Sequence, residues 1–570
     1  MLRLPIERRA LITAAIALSV MGTAGGAWAQ APVGDAGGGG TTGTVTREDL
    51  APVMASDGSG LPHELWRGLT LADLESLLSR VDLPPRSPTL HALLKRLLTS
   101  EVGPPADAAN GSRFLAVRVE ALDRMGLYDD SARLLSDRQV SDSDPILKVL
   151  AARTHLAQGE TTKGCAGVRH LATAISSLPE RLRNLSLVLS AYCTAASGDK
   201  DGALMLVALA REQGSDASVS LDAIDAYASG GVVRLADGAP IDLVDWLSLK
   251  LSATVPLATV LTTARPGVLA AIAKSSAGDV EMQILAAEAA ARLNATSPAD
   301  LAAAYMRVGL VRQAGSTPNS GAGDGVRRAQ LFAACKSERA ALKRTRLIRR
   351  FLDDVRRVGL YWQGLLIVAQ DVKEIPATAE VGWFAETAIE SALVSGDFNA
   401  VRSWVAFGRS LDRPNPQGEV ALEHWLALAD IADPAARSSR ATHLDAVTVL
   451  AQRGQVASDH LHRIATVLDA LDIQVPIPLW ELASRTPQPA AGHLPATGVL
   501  SALAESAKQQ EFGRTVLLTM EALGPDGADG AHMIALGDAI RALRRAGLDQ
   551  DARKLALEAL FSSWPRTPDG

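Results

Sequence analysis

The sequence predicts an all-α protein: an α-solenoid of stacked helical hairpins in two segments, following a cleaved signal peptide and a flexible tether. Two observations carry this. Ala, Leu and Val supply most of the 47% of residues that are hydrophobic, and aromatics make up only 4%. Ala and Leu favour helices, whereas sheets draw on aromatic and β-branched residues. In addition, amphipathic stretches repeatedly end at a glycine, pass through a small polar turn, and begin again. At 570 residues the chain exceeds one hydrophobic core, so several units or a repeat array are expected.

The elements follow in order. Residues 1–29 read as a signal peptide: Arg3, Arg8 and Arg9 precede a short apolar run from Ala10 to Met21, and Ala27-Trp28-Ala29 supplies small residues for cleavage before Gln30. The apolar run is shorter than the ~20 residues a membrane helix needs, and the mature chain contains no such run. Glu7 stands where a twin-arginine signal carries Ser or Thr, which favours ordinary export. The signal and the Ala-rich body are bacterial in style, so the mature chain is expected in the periplasm. Residues 30–60, rich in Gly, Thr and Ser, form a tether without apolar periodicity. A helical segment is expected over 61–314, a Gly-rich linker over 315–325, and a second helical segment over 326–566. The linker's alternating glycines lack the preceding strand and following Lys of a phosphate-binding loop.

The repeated punctuation is clearest at Gly126, Gly198, Gly396 and Gly547, with looser copies at Gly159, Gly309, Gly359 and Gly454. Glycine ends a helix cheaply in the left-handed conformation, and the Asp or Asn that follows caps the next one. Ser297-Pro298 reads as a helix start, with Ser as cap and Pro at the first helical position. Between Gly230 and Trp246, a turn over Asp237-Gly238 leading into a capped helix accounts for the pattern without strands. The arrangement at Gly126-Leu127-Tyr128 with Ala132, at Gly198 with Ala203 and at Gly547 with Ala552 resembles the tetratricopeptide superfamily. The spacing is irregular, and the Trp-Leu-Gly start and terminal Pro are mostly missing. The resemblance implies helical hairpins over about two thirds of the mature chain and no specific activity.

Cys165 and Cys193 are two of only three cysteines. Cys165, Val168, Ala172 and Ile175 share one stripe, and Leu182, Leu185, Leu189 and Cys193 another. Pro179 lies midway, so a turn over 177–180 sets both sulfurs level on facing helices. An oxidising compartment then favours a structural disulfide; two unpaired core thiols are the alternative. Cys335 reads as a buried small residue.

Net charge is −6, which gives no basic footprint for nucleic acid. From Arg327 to Arg357, however, eleven basic residues face three acidic ones, a local balance of +8. Leu342, Ile348, Phe351, Leu352 and Val355 trace a buried stripe there. Arg339, Lys343, Arg346, Arg349, Arg350 and Arg357 form the candidate partner-binding face, suited to an acidic protein, an anionic lipid or a phosphorylated glycolipid. A solvated face paired with acids of neighbouring helices is the plain alternative. Trp362, Trp383, Trp404 and Trp425 recur every 21 residues. They read as core packing on four helices of one template, or else as a binding ladder.

No catalytic, cofactor-binding or metal residue is predicted. The histidines lack the i, i+4 spacing of a zinc helix, and neither a nucleophile elbow nor a P-loop occurs. Glu75-Ser76, Glu390-Ser391 and Glu505-Ser506 lack the context of a lytic transglycosylase. The expected function is a periplasmic, non-catalytic scaffold or adaptor that binds protein partners or an envelope assembly. The alternative is an accessory factor, or divergent enzyme, in peptidoglycan or envelope-glycolipid handling.

Overall fold

The computed structural model describes residues 64–566 except 109–110, 138–143, 172–173, 216, 234, 237, 253–255, 276–278, 313–322, 412–421 and 436–439. The predicted signal peptide and tether lie outside the described residues, as does most of the predicted linker.

Among the described residues the fold is all-helical, and its only β pairings are isolated bridges, Ile241 with Ala264 and His493 with Ala531. The chain begins with α1 (Leu71–Arg80), α2 (Pro88–Thr99), α3 (Gly111–Arg124), α4 (Tyr128–Asp137), α5 (Pro145–Ala157), α6 (Thr161–His170) and α7 (Glu180–Ala196). It continues through α8 (Lys200–Glu212), α9 (Ser218–Ser229), α10 (Leu243–Ser252), α11 (Leu257–Thr263), α12 (Pro266–Lys274), α13 (Val280–Arg292) and α14 (Pro298–Arg312). Next come α15 (Asp324–Ser337), α16 (Ala341–Arg357), α17 (Tyr361–Lys373), α18 (Ala385–Ser395), α19 (Phe398–Ser410), α20 (His424–Ala432) and α21 (Arg440–Gln452). The last are α22 (Ser458–Ala470), α23 (Ile477–Ser484), α24 (Val499–Lys508), α25 (Phe512–Leu523), α26 (Gly527–Gly530), α27 (Met533–Arg545) and α28 (Asp549–Phe561).

Local chemistry sets the helix ends. Thr70 and Asp73 form a reciprocal capping box on α1, and Ser297 with Asp300 does the same on α14, as its Ser-Pro start predicts. Asp144, Asp199, Asp279 and Asp397 cap α5, α8, α13 and α19. Gly396 ends α18 at φ 77°, its N–H returning to the carbonyl of Leu393. Seven of the eight predicted turn glycines have positive φ. The exception is Gly309, which lies inside α14. The residues after it, Leu-Val-Arg-Gln, include no capping residue that would start a new helix.

Consecutive helices mostly pack on one another, α5 on α6, α7 on α8, α12 on α13, α17 on α18. In a solenoid each repeat contacts only its neighbours. Here α2 also packs on α25 and α28, α20 on α28, and α14 on α17. The two described ends therefore meet. Arg80 pairs with Glu521, Arg86 with Asp526, and Arg96 with Asp551, at 2.7–3.0 Å. Helix α28 is enclosed: Ala552, Leu555, Ala556 and Leu560 are fully buried, and α2, α20, α22, α26 and α27 surround it.

One core joins α1–α3 with helices from α13 to α28, and a second fills α5–α13. The first spans the predicted linker. Tyr305 of α14 packs on Phe332 of α15 and Phe351 of α16, with ring centroids 5.7 and 5.9 Å apart. Its hydroxyl donates to Glu288, which also takes both forks of the buried Arg328.

Cys165 and Cys193 form a disulfide between α6 and α7, with Cα atoms 5.4 Å apart. The hairpin differs from expectation at its first arm. α6 stops at His170, and a 3-10 turn at Ile175–Ser177 lies in the connection, so Ile175 is not on the Cys165 stripe. Leu178 then anchors the connection in the core before Pro179 precedes α7. Cys335 is free and buried, and burial pushes its thiol up to about 12.

Candidate basic groove on α16

Helix α16 is built by a seven-residue rhythm. Ile348, Phe351, Leu352 and Val355 are at most 1% exposed, and Phe351 sits 5.5 Å from the Phe332 ring. Burying a side chain of this class contributes about 1.5–3 kcal/mol. The helix ends where Leu360 N–H returns to the Val355 carbonyl over Gly359, at φ 72°, a Schellman-type stop. The same rhythm places Lys343, Arg346, Arg350 and Arg357 along the opposite, exposed side.

The basic cluster divides into two populations. Arg344 is 8% exposed in its side chain and is clamped between Asp371 and Glu374, while Lys336 lies 2.5 Å from the same Asp371. Arg328 is held by Glu288 at 2.5 Å. Arg356 lies 3.8 Å above the Tyr361 ring. Arg328, Lys336 and Arg344 are held by acids from outside the basic stretch, which is why the local sequence balance overstates the surface charge.

Of the predicted binding residues, Arg346, Arg349, Arg350 and Arg357 line one groove of about 540 Å³ with Arg327, Asp353, Asp354 and Trp383. Arg339 and Lys343 are exposed on the same helix and its approach but do not line that groove. Arg349 is the least available, donating to Thr387 Oγ1 at 3.0 Å and lying 3.4 Å from Asp353. Arg357 and Arg327 both reach Asp354, at 2.7 and 3.3 Å. Lys343, Arg346 and Arg350 have no ion pair with a described residue. The arrangement can hold an anionic group against two guanidinium forks without a partner among the described residues, with an aromatic face alongside.

Trp383 is the groove residue that charge counting missed. It is 39% exposed and lies in a 3-10 turn, Ala379–Phe384. The 21-residue interval is not a ladder. Trp425 is fully buried and donates to Glu386 at 3.2 Å, Trp404 is buried beside Phe407, and Trp362 packs edge-on against Phe561. Trp404 lies mid-helix whereas Trp362 and Trp425 are second residues of theirs, so the four do not share a height.

The Glu-Ser pairs make local contacts. Glu75 holds Arg113, and buried Glu390 binds Tyr361 and Arg566. Ser506 donates to the Leu503 carbonyl. Among the described residues no group of three or more His, Cys, Asp or Glu is placed to hold a metal ion. No described helix is long and apolar enough to cross a membrane. Compared with protein-family models, with curated proteins and with solved structures, the chain matches none.

Proposed function

We propose that this chain is a periplasmic, non-catalytic helical scaffold or adaptor that holds an acidic protein partner of the cell envelope in the α16 groove. The observation that carries the reading is the pair Arg346 and Arg350, without an ion pair among the described residues and beside the exposed Trp383. Arginine and tryptophan are the residues on which interface energy concentrates. The Ala27-Trp28-Ala29 cleavage pattern and the Cys165–Cys193 disulfide support an exported chain.

A photocrosslinker at Trp383 in living cells tests it. An acidic protein adduct is expected, lost in the Arg346→Glu, Arg350→Glu double variant with the melting temperature unchanged. An adduct that persists in the double variant removes the groove from the function.

The exposed Trp383 face also favours a second reading, in which the groove takes a phosphorylated envelope glycan and the chain assists peptidoglycan or glycolipid handling. Retention of purified glycolipid by the wild type alone would favour it. Release of sugar fragments from isolated cell wall would overturn the non-catalytic scaffold.

A further inference from the structure

A second cavity lies away from α16. A cleft of about 820 Å³ opens among α1, α3, α7, α10 and α12, within the size range of small-molecule sites. On its floor Asp123 and Arg153 pair at 2.7 Å, and Ser131 Oγ donates to the same carboxylate at 2.7 Å. Those charges satisfy one another. Tyr128 beside them is only 7% exposed, yet its hydroxyl bonds no described residue. Gly267 keeps the space in front of it: a Cβ there would fall 2.7 Å from the hydroxyl and 2.7 Å from the Asp123 carbonyl.

At the mouth, Arg124, Arg181 and Arg265 share the lining. Glu120 offsets Arg181 at 2.7 Å, and Arg124 donates one N–H to the Leu78 carbonyl at 3.2 Å. Arg265, at the start of α12, has no side-chain partner among the described residues. Burial pushes the Arg124 guanidinium down; the Glu120 carboxylate opposes this, the Arg181 and Arg265 cations add to it, and Asp82 opposes it more weakly. Of the lining carboxylates, Glu75 holds Arg113 and Asp242 caps α10, while Asp82 has no ion pair among the described residues but its charge acts on Arg124. The cleft thus offers Arg265, without a side-chain partner among the described residues, beside a partly engaged Arg124 at its mouth, and the Tyr128 hydroxyl on its floor.

We infer that this cleft binds a small molecule bearing an oxyanion, its anionic head between Arg124 and Arg265 and a second polar group on the Tyr128 hydroxyl. The site is separate from the α16 groove and does not depend on that groove's function.

Calorimetric titration of the purified full-length mature chain with citrate and with inorganic phosphate tests the inference. Saturable binding of at least one probe is expected, weakened at least about tenfold by Arg265→Glu. Binding of citrate alone assigns a carboxylate head, and binding of phosphate alone a phosphate head. Tyr128→Phe is expected to weaken the bound probe several-fold without lowering the melting temperature, because its hydroxyl supports no protein contact. Arg346→Glu with Arg350→Glu is expected to leave the affinity unchanged. No saturable heat with either probe up to about 10 mM overturns the inference. So does an affinity that Arg265→Glu and Arg265→Ala leave intact, or one that only the α16 variant removes.

Discussion

Glu558 accepts a hydrogen bond from Ser87 Oγ at 2.5 Å, and a second from Thr89 N–H at 2.6 Å, so a carboxylate of α28 caps α2. The two residues are 471 positions apart. Burial pushes the Glu558 carboxyl up to about 7 despite these donors. The folded pKa lies above the unfolded value near 4.5, so this contribution to stability is fully present below pH 4.5 and is lost as pH rises through 7. Glu558→Gln is therefore expected to flatten the decline between pH 4.5 and 8, a difference of about 3 kcal/mol. Urea midpoints at the two pH values measure it, and parallel declines in both proteins would refute it.

The histidines act in the opposite direction. Burial is the main cause that pushes His460 down to about 4, and neither of its ring nitrogens has a hydrogen-bond partner among the described residues. Its ring lies 5.9 Å from that of Trp564, with Arg463 and Arg566 adding to the depression. The unfolded chain takes the proton first, so stability present above pH 6.5 is lost as pH falls toward 4. His460→Leu is expected to make that acid limb shallower by about 3 kcal/mol. Denaturant titrations at pH 7 and 4.5 read the difference, and an unchanged acid limb would count against it.

Removing the disulfide is expected to cost about 3–4 kcal/mol, given the sequence separation of 28 between its cysteines. Cys165→Ser with Cys193→Ser, compared with the oxidised, disulfide-bonded wild type by calorimetry, gives the value. A loss below about 1 kcal/mol would mean that α6 and α7 are held by packing alone.

Arg344 and Arg346 are two residues apart and are expected to behave oppositely. Arg344→Ala leaves the buried Asp371 carboxylate with Lys336 alone and removes a charged hydrogen bond, and is expected to cost about 1.5–3 kcal/mol. Arg346→Ala, on the exposed side, is expected to leave the thermal midpoint unchanged. Equal effects would show that the division of the cluster into structural and free charges is wrong.

Local features were legible in the sequence wherever the cause is local. Gly396 in the left-handed conformation, Ser297 as a cap and the amphipathic face of α16 all follow from a few neighbouring residues. The Cys165–Cys193 pairing was also within reach, since both residues belong to adjacent helices. The fates of Arg328 and Arg344 were not, because Glu288, Asp371 and Glu374 come from other helices and one sequence shows no such pairing. Trp383 was flagged by its interval but not by its exposure, which depends on how its 3-10 turn meets α16. The Tyr128 cleft was invisible for the same reason: its lining joins α1, α3, α7, α10 and α12, brought together only by the tertiary fold.

The contact of α2 with α28 also orders events in time. A chain synthesised from its N-terminus presents Ser87 and the apolar side of α2 long before Glu558 exists. The first helices must wait, with Leu90, Leu93, Leu94 and Leu97 seeking cover, until the last turn of the sequence has been made. Contacts at such separation are slow to form. Loss of only the final twenty or so residues should thus leave the opening helices without their seat, and limited proteolysis of a chain ending before Asp549 is expected to cut first near α2.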